Sequence, residues 1–216
     1  MHPYSAVIFD MDGVIVDSEP CHERAFREVF ADLGYGDRHG IHFPDYYGRS
    51  DRALWLDFIE RHRPSQPLET LTRLKEDRLL SLLAAEEPVF DDVPELVESL
   101  AGGTRLAVAS GSTHAVISAV LAMRGLRRHF PVVVSAQDVV RGKPEPDIFL
   151  LAAEKLGVDP AGCVVIEDSA AGVKAARAAG MRVIGITNSL PAERLAEADV
   201  VVSGYREIRR LLLDRH

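Results

Sequence analysis

The sequence predicts an α/β protein: a parallel sheet with an all-helical insertion after its first strand. Three observations carry this expectation. Short β-branched runs alternate with helix-length segments over the second half of the chain, the pattern of parallel strands joined by right-handed crossovers. Between Ser18 and Glu86 only helical periodicity occurs. And polar residues that can do chemistry lie just beyond the ends of successive predicted strands, the edge at which open α/β sheets bind ligands.

Val7, Ile8 and Phe9 form a short apolar run suited to a buried parallel strand. From Ser18 to Leu33 the apolar residues Ala25, Phe26, Val29, Phe30 and Leu33 fall at helical spacing, with Ser18 expected as N-cap and Pro20 in the first turn. The stretch from Gly34 to Gly48, rich in Gly, His, Asp and Tyr, reads as a loop. Helices are predicted over 51–62 and 68–85, parted by the prolines at 64 and 67. Asp92 and Pro94 open another helix. Then strands at 105–109, 132–135, 163–166, 182–186 and 200–202 alternate with helices at 113–123, 146–156, 170–179 and 207–213. Residues 1–17 and 87–216 are therefore expected to form the α/β core domain, and 18–86 a helical cap domain.

Composition bounds the function. The chain has 216 residues, 47% hydrophobic and 27% charged, enough for a substantial core. A net charge of -8 speaks against a nucleic-acid-binding surface. Cys21 and Cys163 are too few for a disulfide framework and form no C-x-x-C pair. MHPYSAVIFD lacks the basic start and long apolar stretch of a signal peptide, and no apolar run has membrane-spanning length, so a cytoplasmic protein without a membrane partner is expected.

The predicted strand ends carry the chemistry. Asp10 and Asp12, one residue apart before Gly13, come after the first strand; Ser110, Gly111 and Ser112 come after the run at 105–109; Lys143 lies in the loop after the third strand; Glu167 and Asp168 come after the fourth. Carboxylates placed together raise each other's cost of ionisation, and a divalent cation relieves it. Phosphoryl transfer needs this inventory. A carboxylate can attack phosphorus through an aspartyl-phosphate, Mg²⁺ takes oxygen ligands, and ammonium and hydroxyl donors steady the other phosphate oxygens. Asp10 as nucleophile and metal ligand, Asp12 as acid and base, Ser110 as phosphate donor, Lys143 as countercharge and Asp168 as metal ligand supply each part.

Four segments in this order resemble the four motifs of the haloacid dehalogenase superfamily, in its branch with a small helical cap: FDMDGVIVDSEP, VASGS, GKPEPDIF and VIEDSAAG. With the cap, the resemblance covers essentially the whole chain. It implies a Rossmann-like core, Asp10 as nucleophile, Asp12 as acid and base, and Mg²⁺ held by Asp10, Asp12 (through its carbonyl) and Asp168, with Glu167 beside them. Substrate-binding roles are expected for Ser110, Gly111, Ser112 and Lys143 in the core and for His22 and Arg49 in the cap. The relatives of this branch resembled most are sugar-phosphate phosphatases and β-phosphoglucomutase. Aligned on Gly48, the cap arginine with which the mutase holds its second phosphate falls on Asp51, which favours hydrolysis.

The expectation is a Mg²⁺-dependent phosphatase for a small phosphorylated metabolite such as a sugar phosphate, a monomer or weak homo-oligomer. The alternatives are the mutase and a catalytically silent binding module. Lys75, in LKEDR, resembles a cap lysine of this group, although on a charged helix face the expectation is a solvated residue, and Trp55 is expected as part of the cap core. His39, His42, Tyr46 and Tyr47 are expected at the cap loop as candidates for substrate selection. Arg206, Arg209, Arg210 and Arg215 read as a solvated face near the end of the chain.

Overall fold

The structure, a computed structural model, describes residues 4–46 and 50–213. Its strands are β1 (Ala6–Phe9), β2 (Arg105–Ser110), β3 (Val132–Ser135), β4 (Cys163–Glu167), β5 (Arg182–Ile186) and β6 (Val200–Val202). The helices are α1 (Glu19–Asp32), α2 (Asp51–His62), α3 (Leu68–Glu86), α4 (Val93–Ala101), α5 (His114–Ala122), α6 (Asp147–Leu156), α7 (Ala170–Ala178) and α8 (Tyr205–Leu213). The chain divides into two compact units, one of Met1–Asp17 with Pro88–His216 and one of Ser18–Glu87.

In the α/β unit all six strands lie parallel in the order β3-β2-β1-β4-β5-β6, as the alternating pattern predicts. The direction of winding reverses at β1, so β1 marks the switch point where an open sheet leaves a crevice at its carboxyl edge. β1 is buried throughout, which is why it is apolar without alternation. Ala6 and Ile8 face a cluster with Ile148 and Phe149 of α6 and Val173 and Ala176 of α7. Phe9, on the opposite face by strand alternation, meets Phe130 edge-on with centroids 5.5 Å apart. Phe9 pairs in register with Val108 and Ile166. That register sets Asp10 level with Glu167 and brings Ser110 to the same edge.

The helical unit packs around aromatic rings. Phe26 and Phe30 of α1, Trp55 and Phe58 of α2 and Leu71 of α3 share a buried cluster with Ile41 and Phe43. Trp55 is fully buried, with Phe26 at 5.1 Å and Phe30 at 5.5 Å between centroids. The segment expected as loop holds two short 3₁₀ turns, Gly36–His39 and Phe43–Tyr46. Their short span offers too little periodicity to be read from sequence. Ser18 precedes α1 but its side chain makes no capping bond; its backbone is already helical (φ -88°, ψ -17°), unlike the extended backbone that aims a hydroxyl at the first-turn amides.

Among the described residues, no helix is long and apolar enough to cross a membrane.

Candidate active site

The turn after β1 is built almost entirely from backbone bonds. Asp10 N–H donates to the Ile166 carbonyl (3.0 Å), which continues the β1–β4 ladder one residue past the strand. The Met11 carbonyl accepts from Val14, Ile15 and Val16 N–H, and Gly13 N–H donates to the Val16 carbonyl. Gly13 is needed at this point. Its φ is +74°, and a Cβ there would lie 1.8 Å from Asp168 Oδ2. The turn thus brings backbone from β1 directly against the carboxylate just beyond β4.

Asp10, Glu167 and Asp168 are all buried, with carboxylate oxygens within 4.8 Å of one another. Lys143 reaches between two of them, its Nζ donating to Asp10 Oδ1 (2.6 Å) and Glu167 Oε1 (2.5 Å). The loop carrying Lys143 is pinned just before it, where Arg141 donates to both oxygens of Asp147 at 3.0 and 2.8 Å. The Lys143 ammonium also lies 4.9 Å from the centroid of the Phe149 ring.

One cation does not balance this many acids. Burial, then the neighbouring carboxylates Glu167, Asp168 and Asp12, hold the Asp10 carboxyl well above its ordinary range, against the pull of Lys143. Burial and Glu167 push Asp168 up to about 7. Burial alone would lower Lys143, but Asp10 and Glu167 outweigh it and raise the ammonium above its usual value. A second cation at this cluster would relieve the strain on Asp10 and Asp168. The oxygen-only donor set is the chemistry that a hard divalent ion prefers.

Glu167 plays a different part from the other two. Its Oε2 accepts from Asp168 N–H, Ser169 N–H and the Ser169 hydroxyl at 3.0, 2.9 and 2.9 Å. With Oε1 on Lys143, both oxygens are engaged. Close packing from α7 keeps them there: a Cβ on Gly172 would fall 1.7 Å from Oε1. Ser169, the N-cap of α7, accepts from Gly172 N–H while donating to Glu167.

Asp12 stands apart from the cluster and faces β2. Its Oδ2 accepts from the Ser112 hydroxyl (2.8 Å) and the Ser110 hydroxyl (3.3 Å). Ser110 Oγ in turn accepts from Ser112 N–H (3.0 Å). The capping of α5 falls to Thr113, which leaves Ser110 for the strand edge. Gly111 is exposed between them. The two aspartates one residue apart are thereby given different surroundings, one buried among charges and one held by hydroxyls.

Apart from Arg206, Arg209 and Arg210, which are exposed on α8 as expected, the remaining expected residues lie in the helical unit or outside the described residues. Arg49 and Tyr47 fall outside them, as does Arg215. His22 lies on α1, its Nδ1 2.7 Å from Lys75 Nζ. Lys75 is not a solvated residue. It is 1% exposed, donates to Asp51 Oδ2 at 2.6 Å, and lies 4.9 Å from the Phe26 ring centroid. Helical packing turns the Lys75 stem inward with Leu71 and Leu79, and Asp51 compensates the charge. Burial would raise Asp51, but hydrogen bonding from His22 and the charge of Lys75 win and hold its carboxyl well below the usual range.

His39 also departs from expectation. It is buried against Phe30, ring centroids 4.8 Å apart, with Nδ1 accepting from Ile41 N–H (3.0 Å). Tyr46 donates to Asp57, and exposed His42 pairs with Asp45.

Three residues that sequence reasoning missed complete the edge of the sheet. Ser189 donates to Asp168 Oδ2, and Asn188 donates to the Gly13 carbonyl (2.8 Å) and to the Tyr205 hydroxyl (2.9 Å). Asn188 and Ser189 sit just beyond β5. Functional side chains gather past the carboxyl ends of strands, and extending that rule from the first four strands to the fifth locates both.

Residues 4–180 match the family of haloacid dehalogenase-like hydrolases. The chain is 40% identical over 185 residues to a fructose-1-phosphate phosphatase of Escherichia coli, covering 85% of this chain and 96% of that protein. It is similar in structure to the Rhodobacter sphaeroides protein CbbY in complex with xylulose-1,5-bisphosphate (TM-score 0.81, 28% identity, 94% of this chain and 96% of that one). A β-phosphoglucomutase of Clostridium difficile is also similar (TM-score 0.77, 26% identity, 95% and 96% covered).

Proposed function

Since the chain belongs to the haloacid dehalogenase-like hydrolase family, we propose that it is a Mg²⁺-dependent phosphatase of small phosphorylated sugars or polyols, working through an aspartyl-phosphate. The observation that carries this reading is the meeting of Asp10, Lys143 and Asp168 at the edge of β1 and β4, with Asp12 held beside them by two hydroxyls. Mg²⁺ would be held by Asp10, Asp168 and the Asp12 carbonyl, and it supplies positive charge against the substrate phosphate and the nucleophile.

In the first step an Asp10 oxygen forms a bond to phosphorus and the ester P–O bond breaks. The departing sugar oxygen takes a proton from Asp12. Water then gives a proton to Asp12 and attacks phosphorus, the bond to Asp10 breaks, and orthophosphate leaves. Ser112 holds the Asp12 carboxyl in place for both transfers, while Ser110, whose bond to Asp12 is the longer, turns its single hydroxyl proton to the phosphate and joins the third N–H of Lys143 as charge shifts. Glu167, with both oxygens occupied, orients Lys143 rather than serving as a ligand. The helical unit is assigned the cap's role of choosing the substrate.

A mutase reading arises from the likeness to β-phosphoglucomutase. The place of the mutase arginine is held here by Asp51, a carboxylate engaged by Lys75, which disfavours a second phosphate. The test is phosphate release from a panel of phosphorylated sugars and polyols with and without Mg²⁺, including β-glucose 1-phosphate with product analysis. Release that requires Mg²⁺ is expected, and Asp10→Asn abolishes it with an unchanged circular dichroism spectrum. Glucose 6-phosphate without net release would establish the mutase. No turnover of any compound would leave a binding module.

A further inference from the structure

Tyr205, the first residue of α8, is buried (7% exposed) and has no part in the chemistry above. A buried phenol hydroxyl is costly unless it is hydrogen-bonded. Its bonds point to the turn after β1. A carbonyl can only accept, so the Tyr205 hydroxyl donates to the Val14 carbonyl (2.9 Å) and accepts from Asn188 Nδ2 (2.9 Å). The same Asn188 nitrogen donates to the Gly13 carbonyl (2.8 Å). Both carbonyls of the Gly13–Val14 turn are therefore held from one side.

The chain of bonds reaches the acidic cluster through the next residue. Ser189 donates to Asp168 Oδ2. A Cβ on Gly13 would lie 2.6 Å from Ser189 Oγ as well as 1.8 Å from Asp168 Oδ2, so turn, carboxylate and serine are in mutual contact. On the other side of Tyr205, the Phe90 ring lies at 5.7 Å between centroids, and Phe90 N–H donates to the Ile15 carbonyl (3.1 Å). Ring and hydroxyl thus grip the same turn, whose conformation decides how far Asp10 and Asp12 stand from Asp168. A phenylalanine would fill the same space against Phe90 without touching either carbonyl.

We propose that Tyr205, Asn188 and Ser189 are positioning residues that hold the Gly13–Val14 turn and the Asp168 carboxylate at the spacing the acidic cluster needs to bind Mg²⁺. The proposal rests on the Mg²⁺ site inferred above. Partners that orient ligating carboxylates commonly change metal affinity by roughly 10- to 100-fold when removed.

The test is calorimetric titration of Mg²⁺ into the full-length protein without substrate, followed by kcat and KM for phosphate release over a range of Mg²⁺. Ser189→Ala is expected to weaken Mg²⁺ binding by roughly tenfold, Tyr205→Phe by several-fold, and Ser189→Thr, which keeps the hydroxyl, to bind as wild type. At saturating Mg²⁺ the kcat of Ser189→Ala and Tyr205→Phe returns to the wild-type value with KM for substrate unchanged. Ser189 is exposed, so its alanine variant is expected to fold, which keeps the measurement open if Tyr205→Phe is unstable. Unchanged Mg²⁺ affinity in Ser189→Ala, or a loss that threonine does not restore, overturns the proposal. A wild-type protein that binds Mg²⁺ but releases no phosphate would refute the phosphatase reading alone; one that takes up no Mg²⁺ would refute both.

Discussion

Glu167→Gln is nearly isosteric, yet this buried site has no orientation that accepts an amide. With the amide oxygen in the place of Oε2, it can still accept from Asp168 N–H, Ser169 N–H and the Ser169 hydroxyl, now at 2.9 to 3.0 Å. The NH₂ group then faces the Lys143 ammonium, which stands 2.5 Å from Oε1 in the native protein. Flipping the amide sets NH₂ against three donors instead. Removing one partner of a buried ion pair costs about 3–5 kcal/mol. Lys143 keeps Asp10 at 2.6 Å, and losing the Glu167 charge eases its repulsion of Asp10 and Asp168, so the lower end applies, about 3 kcal/mol. For a chain of this size each kcal/mol moves the midpoint by about 2–4 °C, so Tm should fall by roughly 6–12 °C. Thermal unfolding monitored by far-UV circular dichroism measures this, with Glu98→Gln at an exposed position as the control expected to stay within about 0.5 kcal/mol. The Lys143→Met, Glu167→Gln double variant should lose less than the two single losses combined, because methionine presents no donor to the amide. A Tm for Glu167→Gln within about 2 °C of wild type would refute the reasoning, since Glu167 would then not depend on its charge to hold Lys143.

The same contacts predict further outcomes. Gly13→Ala combines an unfavourable φ of +74° with a Cβ 1.8 Å from Asp168 Oδ2, and should abolish Mg²⁺-dependent phosphate release while far-UV circular dichroism stays native. Asp51→Ala leaves the buried Lys75 ammonium without its carboxylate; because Asp51 is itself partly exposed, the loss should fall below that of a fully buried pair, about 2 kcal/mol in urea unfolding, whereas Lys75→Met, which removes the charge with it, should cost less than half as much. His39 is held below its usual pKa, by burial first and then by Arg27 and His62, against Asp37 and Glu23. The unfolded chain therefore takes up the proton first. Stability from neutral His39 is complete above about pH 6.5 and is lost as pH falls through that value toward the lower folded pKa. Urea midpoints between pH 7.5 and 5.5 should drop less steeply for His39→Asn, which can still accept from Ile41 N–H and does not titrate.

The candidate edge was legible because nearly all of its parts lie within a few residues of a strand end, and parallel topology gathers strand ends by construction. Asp10 continues β1, Ser110 ends β2 and Glu167 ends β4; only Lys143 comes from a longer loop, and its Gly-Lys-Pro-Glu-Pro setting marked it. The helices were legible from apolar spacing, as α2 at Asp51–His62 illustrates. What sequence did not supply was the division of labour among the acids. Adjacent Glu167 and Asp168 look interchangeable on paper. Strand alternation sends one toward Lys143 and the α7 cap and the other toward Gly13, and only the backbone says which.

The residues whose surroundings the sequence did not reveal share a physical cause. Lys75 sits on a helix whose charged neighbours are exposed, and nothing in its spacing separates it from Glu76 or Asp77; its burial arises because Asp51, 24 positions earlier, starts α2 beside it. Tyr205 lies two residues before the helix predicted at 207–213, and its use depends on a hydroxyl that meets a carbonyl 191 positions away. Such contacts are set by packing between elements, which local pattern does not encode. They are also where this chain is most its own. In the proposed reaction the four motifs supply the atoms that react, but the distance between Asp168 and the Gly13 turn is held by side chains outside them. A chain could keep every motif residue and still lose metal affinity by changing Ser189. Motif completeness therefore argues for the proposed reaction, and on the proposal above the braces around the motifs would set how much Mg²⁺ that reaction needs.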